Sequence, residues 1–141
     1  MTLIGMVGVG DMGSEMVPHL VAEGHQVWAF DPDPERLKAA VGDGARAAVS
    51  PADAARRSEV TLSLVMSEDI PAAHFGADGI LAGLRPDAVL VLCSTTTPTL
   101  LDEVRNGAGA DRHVVDAPIV GGVKYARERS VTFLVGASRR R

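Results

Sequence analysis

Residues 3–13 read Leu3-Ile4-Gly5-Met6-Val7-Gly8-Val9-Gly10-Asp11-Met12-Gly13, and this stretch decides the fold. Its apolar first half predicts a β-strand, and the residues after Gly13 predict an amphipathic helix. Between them lies a G-x-G-x-x-G sequence, which in this context is typical of the phosphate-binding turn of a dinucleotide-binding fold. A structural strand–turn–helix without a ligand is the alternative, because glycines cluster in turns for many reasons.

The three glycines have separate roles at that spacing. Gly8 permits a tight turn, Gly10 lets the backbone approach a pyrophosphate, and Gly13 lets the helix pack closely on the strand. The helix N-terminus then offers free N–H groups and the positive end of its dipole to the phosphates. The predicted cofactor-binding residues of this turn are Gly8, Val9, Gly10, Asp11, Met12 and Gly13.

A second predicted strand, Gln26–Phe30, is followed by Asp31. This acid comes about 18 residues after Gly13, where a ribose-binding carboxylate belongs. Such a carboxylate accepts hydrogen bonds from the ribose hydroxyls and repels a 2′-phosphate, which favours NAD over NADP. Arg36 could instead accommodate that phosphate, so NADP remains an alternative. A solvated acid at a strand end is the interpretation without a ligand.

The rest of the chain alternates short apolar runs with helical segments, which predicts crossover units and a mainly parallel sheet. We therefore expect an α/β fold of the Rossmann type, doubly wound, with helices on both faces of the sheet. The predicted strands are Leu3–Val7, Gln26–Phe30, Ala45–Ala48, Val60–Val65, Val89–Cys93, His113–Ala117 and Val131–Val135. The predicted helices are Met12–Glu23, Pro34–Val41, Pro51–Arg57, Asp69–Phe75 and Pro98–Asn106.

Length and composition fit one such domain. The chain has 141 residues, of which 46% are hydrophobic and 23% are charged. These values are ordinary for a globular protein and exclude collagen-like and disordered classes. We expect residues 1–136 to form the domain and residues 137–141, which end in three arginines, to be a frayed or truncated tail.

Charge and cysteine content restrict the partners and the compartment. The net charge is −4 and the sequence has no basic face, so we expect no nucleic-acid partner. The sequence has neither an apolar run of the roughly 18 residues that span a bilayer nor the basic start of a signal peptide. The single cysteine, Cys93, lies in an apolar run typical of a buried small hydrophobe. Together these features predict a cytoplasmic protein without membrane contact or a metal site.

Three motifs resemble the β-hydroxyacid dehydrogenase family, which includes 3-hydroxyisobutyrate dehydrogenase and the N-terminal domain of 6-phosphogluconate dehydrogenase. Residues 4–13 are similar to the family's cofactor fingerprint, including its methionine before the last glycine. Residues 81–86, together with the run Ser94-Thr95-Thr96-Thr97-Pro98, are similar to a later cofactor loop. The stretch Asp116-Ala117-Pro118-Ile119-Val120-Gly121-Gly122 is similar to the substrate-binding signature.

This resemblance implies an oxidoreductase that acts on the CH–OH group of small 3-hydroxyacids, with hydride transfer to a nicotinamide cofactor. It implies that Ser94, Thr95 and Thr96 lie beside the nicotinamide ribose. It also implies a cofactor loop at Leu64, Val65 and Met66, and contact of a hydroxy or keto acid with Val120, Gly121 and Gly122. The residues alone also fit a helix N-cap before Pro98 and a tight loop at 116–122.

Two departures from the family bear on the substrate site and on catalysis. Val120 stands where the family has a serine that hydrogen-bonds the substrate carboxylate, which leaves the backbone N–H groups of Gly121 and Gly122 as candidates. Family members also have a C-terminal helical domain that carries the catalytic lysine. Lys38 and Lys124 are the only lysines in this chain, and neither lies in that lysine motif.

We therefore expect the chain to bind NAD, or NADP, but to be inactive or weak alone, as a truncated gene product or a natural short protein. Surface that the missing domain would cover predicts self-association. A stand-alone dinucleotide-binding module or sensor without catalysis is the alternative. Methyl transfer from S-adenosylmethionine also uses a glycine-rich first turn, but it does not explain Asp116–Gly122.

Overall fold

The computed structural model describes residues 1–136, so the predicted tail at 137–141 lies outside the described residues. Strands and helices mostly alternate along this part of the chain, although α4 is followed by α5 and β6 by β7 in the order given next. The strands are β1 (Leu3–Val7), β2 (Gln26–Phe30), β3 (Arg46–Ala47), β4 (Val60–Ser63), β5 (Val89–Leu92), β6 (His113–Asp116), β7 (Ile119–Val120) and β8 (Thr132–Phe133). The helices are α1 (Asp11–Ala22), α2 (Pro34–Gly42), α3 (Pro51–Arg56), α4 (Ile70–His74), α5 (Ile80–Gly83), α6 (Pro98–Ala108) and α7 (Val123–Arg127).

Six of these strands form one parallel sheet in the order β3-β2-β1-β4-β5-β6. This is the strand order of the Rossmann fold, and it confirms the predicted fold class. The order reverses between β1 and β4, and open α/β sheets bind their ligands in the crevice at the carboxyl ends of the strands beside such a reversal. The fold therefore places the glycine turn after β1 at the expected ligand site.

Two apolar clusters cover the two faces of the sheet. On one face, Met6 and Val27 pack with Val17 of α1 and Ala40 of α2. On the other face, buried side chains of β1 and β5 pack against α3, α4, α5 and α6. Strands buried on both faces explain the near-continuous apolar runs in the sequence, because a parallel sheet has no face in water.

The last predicted strand, Val131–Val135, does not join the main sheet. Only Thr132–Phe133 is extended, and it pairs antiparallel with β7 in a separate two-stranded sheet. A single antiparallel bridge between Asp116 and Gly136 links this region to the end of β6. Apolar alternation indicates a strand but not its partner, and the observed strand is shorter than the predicted Val131–Val135.

Three local differences affect the site. The fourth strand ends at Ser63, so Leu64 and Val65 leave the sheet at its carboxyl edge instead of extending it. The predicted helix Asp69–Phe75 is a 3₁₀ turn, Ser67–Asp69, followed by α4. The short helices α5 and α7 were not predicted, because neither is long enough for an amphipathic pattern. No helix within residues 1–136 has the length and apolar character needed to cross a membrane.

Candidate functional site

The turn between β1 and α1 is built around two close backbone approaches. Gly8 has φ +95°, and its N–H donates to the carbonyl oxygen of Phe30 at 2.9 Å. A Cβ on Gly13 would lie 2.4 Å from the carbonyl oxygen of Gly8. A Cβ on Gly8 would lie 2.7 Å from the carbonyl oxygen of Leu64. Both positions therefore need glycine for the fold itself, whether or not a ligand is bound.

Gly10 differs from the other two glycines. It is the N-cap of α1, with φ −73° and no side chain to cap the helix. A Cβ there would meet only the Arg36 side chain, whose Nη1 is 3.2 Å away. The first N–H groups of a helix have no partner within the helix, so the uncapped N-terminus of α1 presents donors to an anion. A side chain at Gly10 would therefore fit the free chain. It would, however, occupy the space in front of α1 that a bound phosphate needs.

Asp31 is tied to the glycine turn. Its Oδ2 accepts from the N–H of Val9 at 3.0 Å, and its Oδ1 accepts from the N–H of Asp33 at 2.9 Å. The residue is 7% exposed and follows β2 at the carboxyl edge of the sheet. A carboxylate has about four lone-pair sites, so these two bonds leave acceptors for ribose hydroxyls.

A cavity of about 720 Å³ lies at this edge of the sheet. Its volume is typical of a small-molecule or cofactor site. It brings together ten of the residues predicted from the sequence, namely Gly8, Gly10, Asp11, Met12, Gly13, Asp31, Leu64, Val65, Met66 and Gly122. Val9 does not line it, because its side chain is buried in the core while its N–H binds Asp31.

The Ser/Thr run after β5 lies beside the cavity without lining it. The hydroxyl of Ser94 donates to the carbonyl oxygen of Val65, which is in the cavity wall. The hydroxyl of Ser67 donates to the carbonyl oxygen of Thr95 at 2.7 Å. These two bonds join the loops that follow β4 and β5. Thr97, one residue after the predicted trio 94–96, caps α6 by accepting from the N–H of Leu100 at 3.2 Å.

The loop after β7 reaches the cavity from the far end of the chain. Gly122 and Val123 line it, whereas Gly121 and Val120 do not, and the Val120 side chain is half exposed. Gly121 has φ +116°, and a Cβ there would lie 3.2 Å from the Tyr125 ring. The glycine pair therefore makes the sharp turn that carries Gly122 to the cavity.

Helix α7 packs on α1 and holds this loop in place. Arg127 Nη2 pairs with Glu15 Oε1 at 2.8 Å, and Arg129 pairs with Glu23. His19 Nε2 lies 2.9 Å from the carbonyl oxygen of Arg127. The Arg127 guanidinium lowers the pKa of Glu15, mainly through this hydrogen bond. These contacts connect α1 with α7, the first and last helices within residues 1–136.

Among the further cavity-lining residues, five come from segments 51–56 and 67–79, and sequence reasoning missed them as site residues. They are Pro51, Asp69, Ala72, Ala73 and Asp78. They lie in segments that carry no binding motif, and only the crossovers of the fold bring them to the carboxyl edge of the sheet. The cavity wall holds four carboxylates, Asp11, Asp31, Asp69 and Asp78, and one cation, Arg36, among the residues that the structure describes.

The lysine and cysteine side chains, considered as acid–base or nucleophilic groups, lie outside the cavity wall. Lys124 on α7 and Lys38 on α2 are both exposed, and neither lines the cavity. Burial raises the pKa of the Cys93 thiol to about 12, so this thiol is not a nucleophile near neutral pH. Among residues 1–136, no group of three or more His, Cys, Asp or Glu side chains could hold a metal ion.

Comparisons with known proteins agree on one family. Residues 3–141 match the family described as the NAD binding domain of 6-phosphogluconate dehydrogenase. An Arabidopsis thaliana protein described as "Probable 3-hydroxyisobutyrate dehydrogenase-like 2, mitochondrial" is 37% identical over 137 residues, which are 96% of this chain and 46% of that protein. The 3-hydroxyisobutyrate dehydrogenase of Pseudomonas aeruginosa is 34% identical, again over 96% of this chain and 46% of the relative.

A solved structure gives the same match. The Mycobacterium tuberculosis 3-hydroxyisobutyrate dehydrogenase, solved with L-serine, superimposes with a TM-score of 0.88 at 31% identity. The match covers 98% of this chain and 47% of that one. The chain thus spans less than half the length of the relatives it matches.

Proposed function

Because the chain belongs to the family of the NAD binding domain of 6-phosphogluconate dehydrogenase, we propose that it binds NAD in the cavity at the carboxyl edge of its sheet. The observation that carries the proposal is that the glycine turn, the uncapped N-terminus of α1 and Asp31 all meet at that cavity. When bound, the cofactor would supply a hydride acceptor. We propose that the chain is the cofactor-binding domain of an oxidoreductase acting on the CH–OH group of small 3-hydroxyacids.

The pyrophosphate would lie over Gly10, where the backbone is bare and the helix N–H groups point outward. The ribose of the adenosine half would hydrogen-bond Asp31, which lines the cavity and has acceptor capacity beyond its two backbone bonds. Asp31 supports NAD over NADP, because a 2′-phosphate would meet its carboxylate. Arg36 is the cation nearest to Gly10, and its pairing with Asp33 at 3.8 Å partly offsets its charge.

The nicotinamide would lie toward the loops after β4 and β5, beside Leu64, Val65, Met66 and the 94–96 run. The small hydroxy or keto acid would lie near Gly122, with the backbone N–H groups of Gly121 and Gly122 as donors to its carboxylate. Val120 cannot donate a hydrogen bond. Its side chain, half exposed and outside the cavity wall, supports this assignment to the backbone.

We propose the cytoplasm as the compartment and a second copy of the chain as a partner. The buried, single Cys93 supports a reducing compartment. Exposed apolar side chains near the end of the described chain support self-association, namely Val120, Tyr125, Leu134 and Val135. Contact of such side chains with each other would remove them from water.

The test of the proposal is the variant Gly10→Val in a fluorescence titration with NADH. A branched side chain at Gly10 meets only Arg36 in the free chain, so the fold should be retained by circular dichroism. The same side chain would occupy the pyrophosphate position, and the affinity for NADH should fall at least about ten-fold. Gly42→Val is the matched control, because nothing lies within 4 Å of a Cβ at Gly42. Unchanged affinity in Gly10→Val would remove the phosphate site from this turn.

A further inference from the structure

The segment 132–136 forms an outer edge of the fold. It runs antiparallel to residues 116–120, through the β7–β8 pair and the bridge between Asp116 and Gly136. The Asp116 N–H donates to Gly136 O at 2.9 Å, and the Gly136 N–H donates back to Asp116 O at 2.6 Å. Since β6 is the last strand of the main sheet, the segment lies outside the end of β6, with no strand of residues 1–136 on its other side.

The outer side of this segment offers unpaired backbone groups. The Leu134 N–H donates to Pro118 O at 3.0 Å, so residue 134, like residue 136, points its N–H and C=O groups inward. In an antiparallel ladder, the residues between such positions point theirs the other way. These residues are Phe133 and Val135, and their backbone groups have no hydrogen-bond partner within residues 1–136. The edge therefore presents N–H donors and C=O acceptors in the alternation that a further β-strand requires.

The side chains of this edge are apolar and partly in water. Phe133, Leu134 and Val135 are 39%, 56% and 68% exposed. Residues 131–136 contain neither a charged residue nor a proline, the features that usually keep strands at a sheet edge from pairing. The opposite edge strand, β3, has such protection, because it is two residues long and includes the exposed Arg46. Of these two edges, the segment 132–136 is thus the one at which strand addition is favoured.

We propose that two copies of the chain pair through this edge, with residues 133–135 of one copy antiparallel to the same residues of the other. This inference rests on the self-association proposed above and gives it a position. Around a two-fold axis, Leu134 faces Leu134 of the second copy, and each Phe133 faces Val135 of the other copy. The outward N–H and C=O groups of Phe133 and Val135 then hydrogen-bond across the axis.

The edge is complementary to its own copy. Directly opposed side chains lie on the same face of a sheet, and an aromatic residue opposite a β-branched one, as in Phe133 with Val135, is a favourable pair. Leu134 meets its copy at a non-hydrogen-bonded position, where opposed side chains approach most closely. The lack of charge over residues 131–136 means that no like charges oppose each other within the segment. A helix could cover the apolar side chains, but it would leave the outward backbone groups unpaired, which favours a strand as the occupant.

The experiment is sedimentation velocity across roughly 1–500 µM, because an interface of so few residue pairs is small and should be weak. The average mass should rise from that of one chain toward that of two. Leu134→Lys places two ammonium groups opposite each other at the axis, and it should weaken self-association at least about ten-fold. Val49→Lys is the matched control, because Val49 is 86% exposed and follows β3 at the opposite edge. It adds the same charge and should associate as the unmodified chain does.

Two further measurements test the pairing itself. Val135→Pro removes an outward N–H and leaves the inward bonds of Leu134 and Gly136, so the edge should keep its fold but associate more weakly. A mixture of the Leu134→Lys and Leu134→Glu variants should associate again, because opposite charges then meet at the axis. Circular dichroism shows that each variant is folded. NADH titration of Leu134→Lys should give the unmodified affinity, since Leu134 does not line the cavity.

An unmodified chain that remains a monomer at the highest concentration would overturn this inference together with the proposed self-association. Association that both Leu134→Lys and Val135→Pro leave unchanged would overturn this inference alone, because the copies would then meet elsewhere. A mixture of the lysine and glutamate variants that stays monomeric would overturn the placement of Leu134 at the axis. The proposed cofactor binding fails separately, by an absence of NADH binding to the unmodified chain.

Discussion

Asp31 connects recognition of the cofactor with the shape of the turn that binds it. Its two carboxylate oxygens accept hydrogen bonds from the backbone N–H groups of Val9 in the glycine turn and of Asp33 after β2. A ribose would use lone pairs that these bonds leave free. A change at Asp31 therefore alters the turn as well as the contact with the ribose, and its two effects have to be measured separately.

At the residue scale, we predict that NADH binds more tightly than NADPH at equal ionic strength. Asp31→Asn should narrow the difference in affinity between NADH and NADPH, because the amide no longer repels the 2′-phosphate. It should also lower the free energy of unfolding by about 1–3 kcal/mol, since an amide oxygen cannot replace both buried acceptors. Fluorescence titrations with both cofactors give the first effect, and urea unfolding of the free chain gives the second.

Tighter binding of NADPH by the unmodified chain would contradict this prediction. Arg36→Gln then becomes the decisive variant, because Arg36 is the cation in the described cavity wall. A loss of NADPH binding in that variant, with NADH binding retained, would assign the 2′-phosphate to Arg36.

His74 leads to a prediction about pH. Its side chain is fully buried, with Nδ1 2.7 Å from the Ile70 carbonyl oxygen and Nε2 without a partner among the described residues. Burial lowers the pKa of His74, and the bond to Ile70 opposes this only in part. The unfolded chain takes up a proton near pH 6.5, whereas the folded chain does so only at lower pH. The free energy of unfolding should therefore decrease as the pH falls below 6.5.

Urea unfolding at pH 7.5 and 5.5 measures this loss, which is at most about 1.4 kcal/mol for one histidine. His74→Leu removes the imidazole and keeps the site apolar. The free energy of unfolding of this variant should therefore depend less on pH. His19, His25 and His113 remain in both proteins, so their contributions cancel in the comparison. If the free energy of unfolding falls equally with pH in the variant and in the unmodified chain, His74 does not cause the loss of stability.

At the scale of elements, α7 is a helix that the sequence alone does not predict. The β1–α1–β2 unit was predicted to within one residue at each end, because its apolar period, its glycines and its caps are local signals. The five-residue α7 has no side-chain cap and is held by contacts with α1. Those contacts depend on the three-dimensional fold, and no local sequence pattern indicates them. The pairing of β8 with β7 was missed for the same reason.

We predict that the Glu15–Arg127 pair holds Gly122 in the wall of the cavity in which the cofactor is proposed to bind. Glu15→Arg should weaken NADH binding a few-fold, because two like charges would separate α7 from α1. The reversed pair Glu15→Arg/Arg127→Glu should restore most of the affinity. Both side chains are at the surface, so the urea midpoint should change little in either variant. A charge reversal that leaves NADH affinity unchanged would show that the wall at Gly122 does not depend on this pair.

At the scale of the whole molecule, the cavity wall formed by the described residues holds carboxylates but no lysine. Lys38 and Lys124 lie outside the wall, and general-base assistance contributes about 10²–10⁴ to a rate. We predict that the purified chain, given NAD and a panel of small 3-hydroxyacids, forms little or no reduced cofactor by absorbance. Robust turnover that Lys124→Ala abolishes and Lys38→Ala does not would contradict this and make Lys124 the base.

The contact between α1 and α7 also has a consequence for the order in which the molecule assembles. It joins residues 112 positions apart in the chain, so closing it costs more entropy than any neighbouring crossover of the sheet. Such non-local contacts tend to form late in folding and to open first. The proposed cofactor cavity has both Gly10 and Gly122 in its wall, so a dinucleotide that contacts both would bridge this long loop and hold it closed. Its binding is therefore expected to slow unfolding far more than it speeds folding.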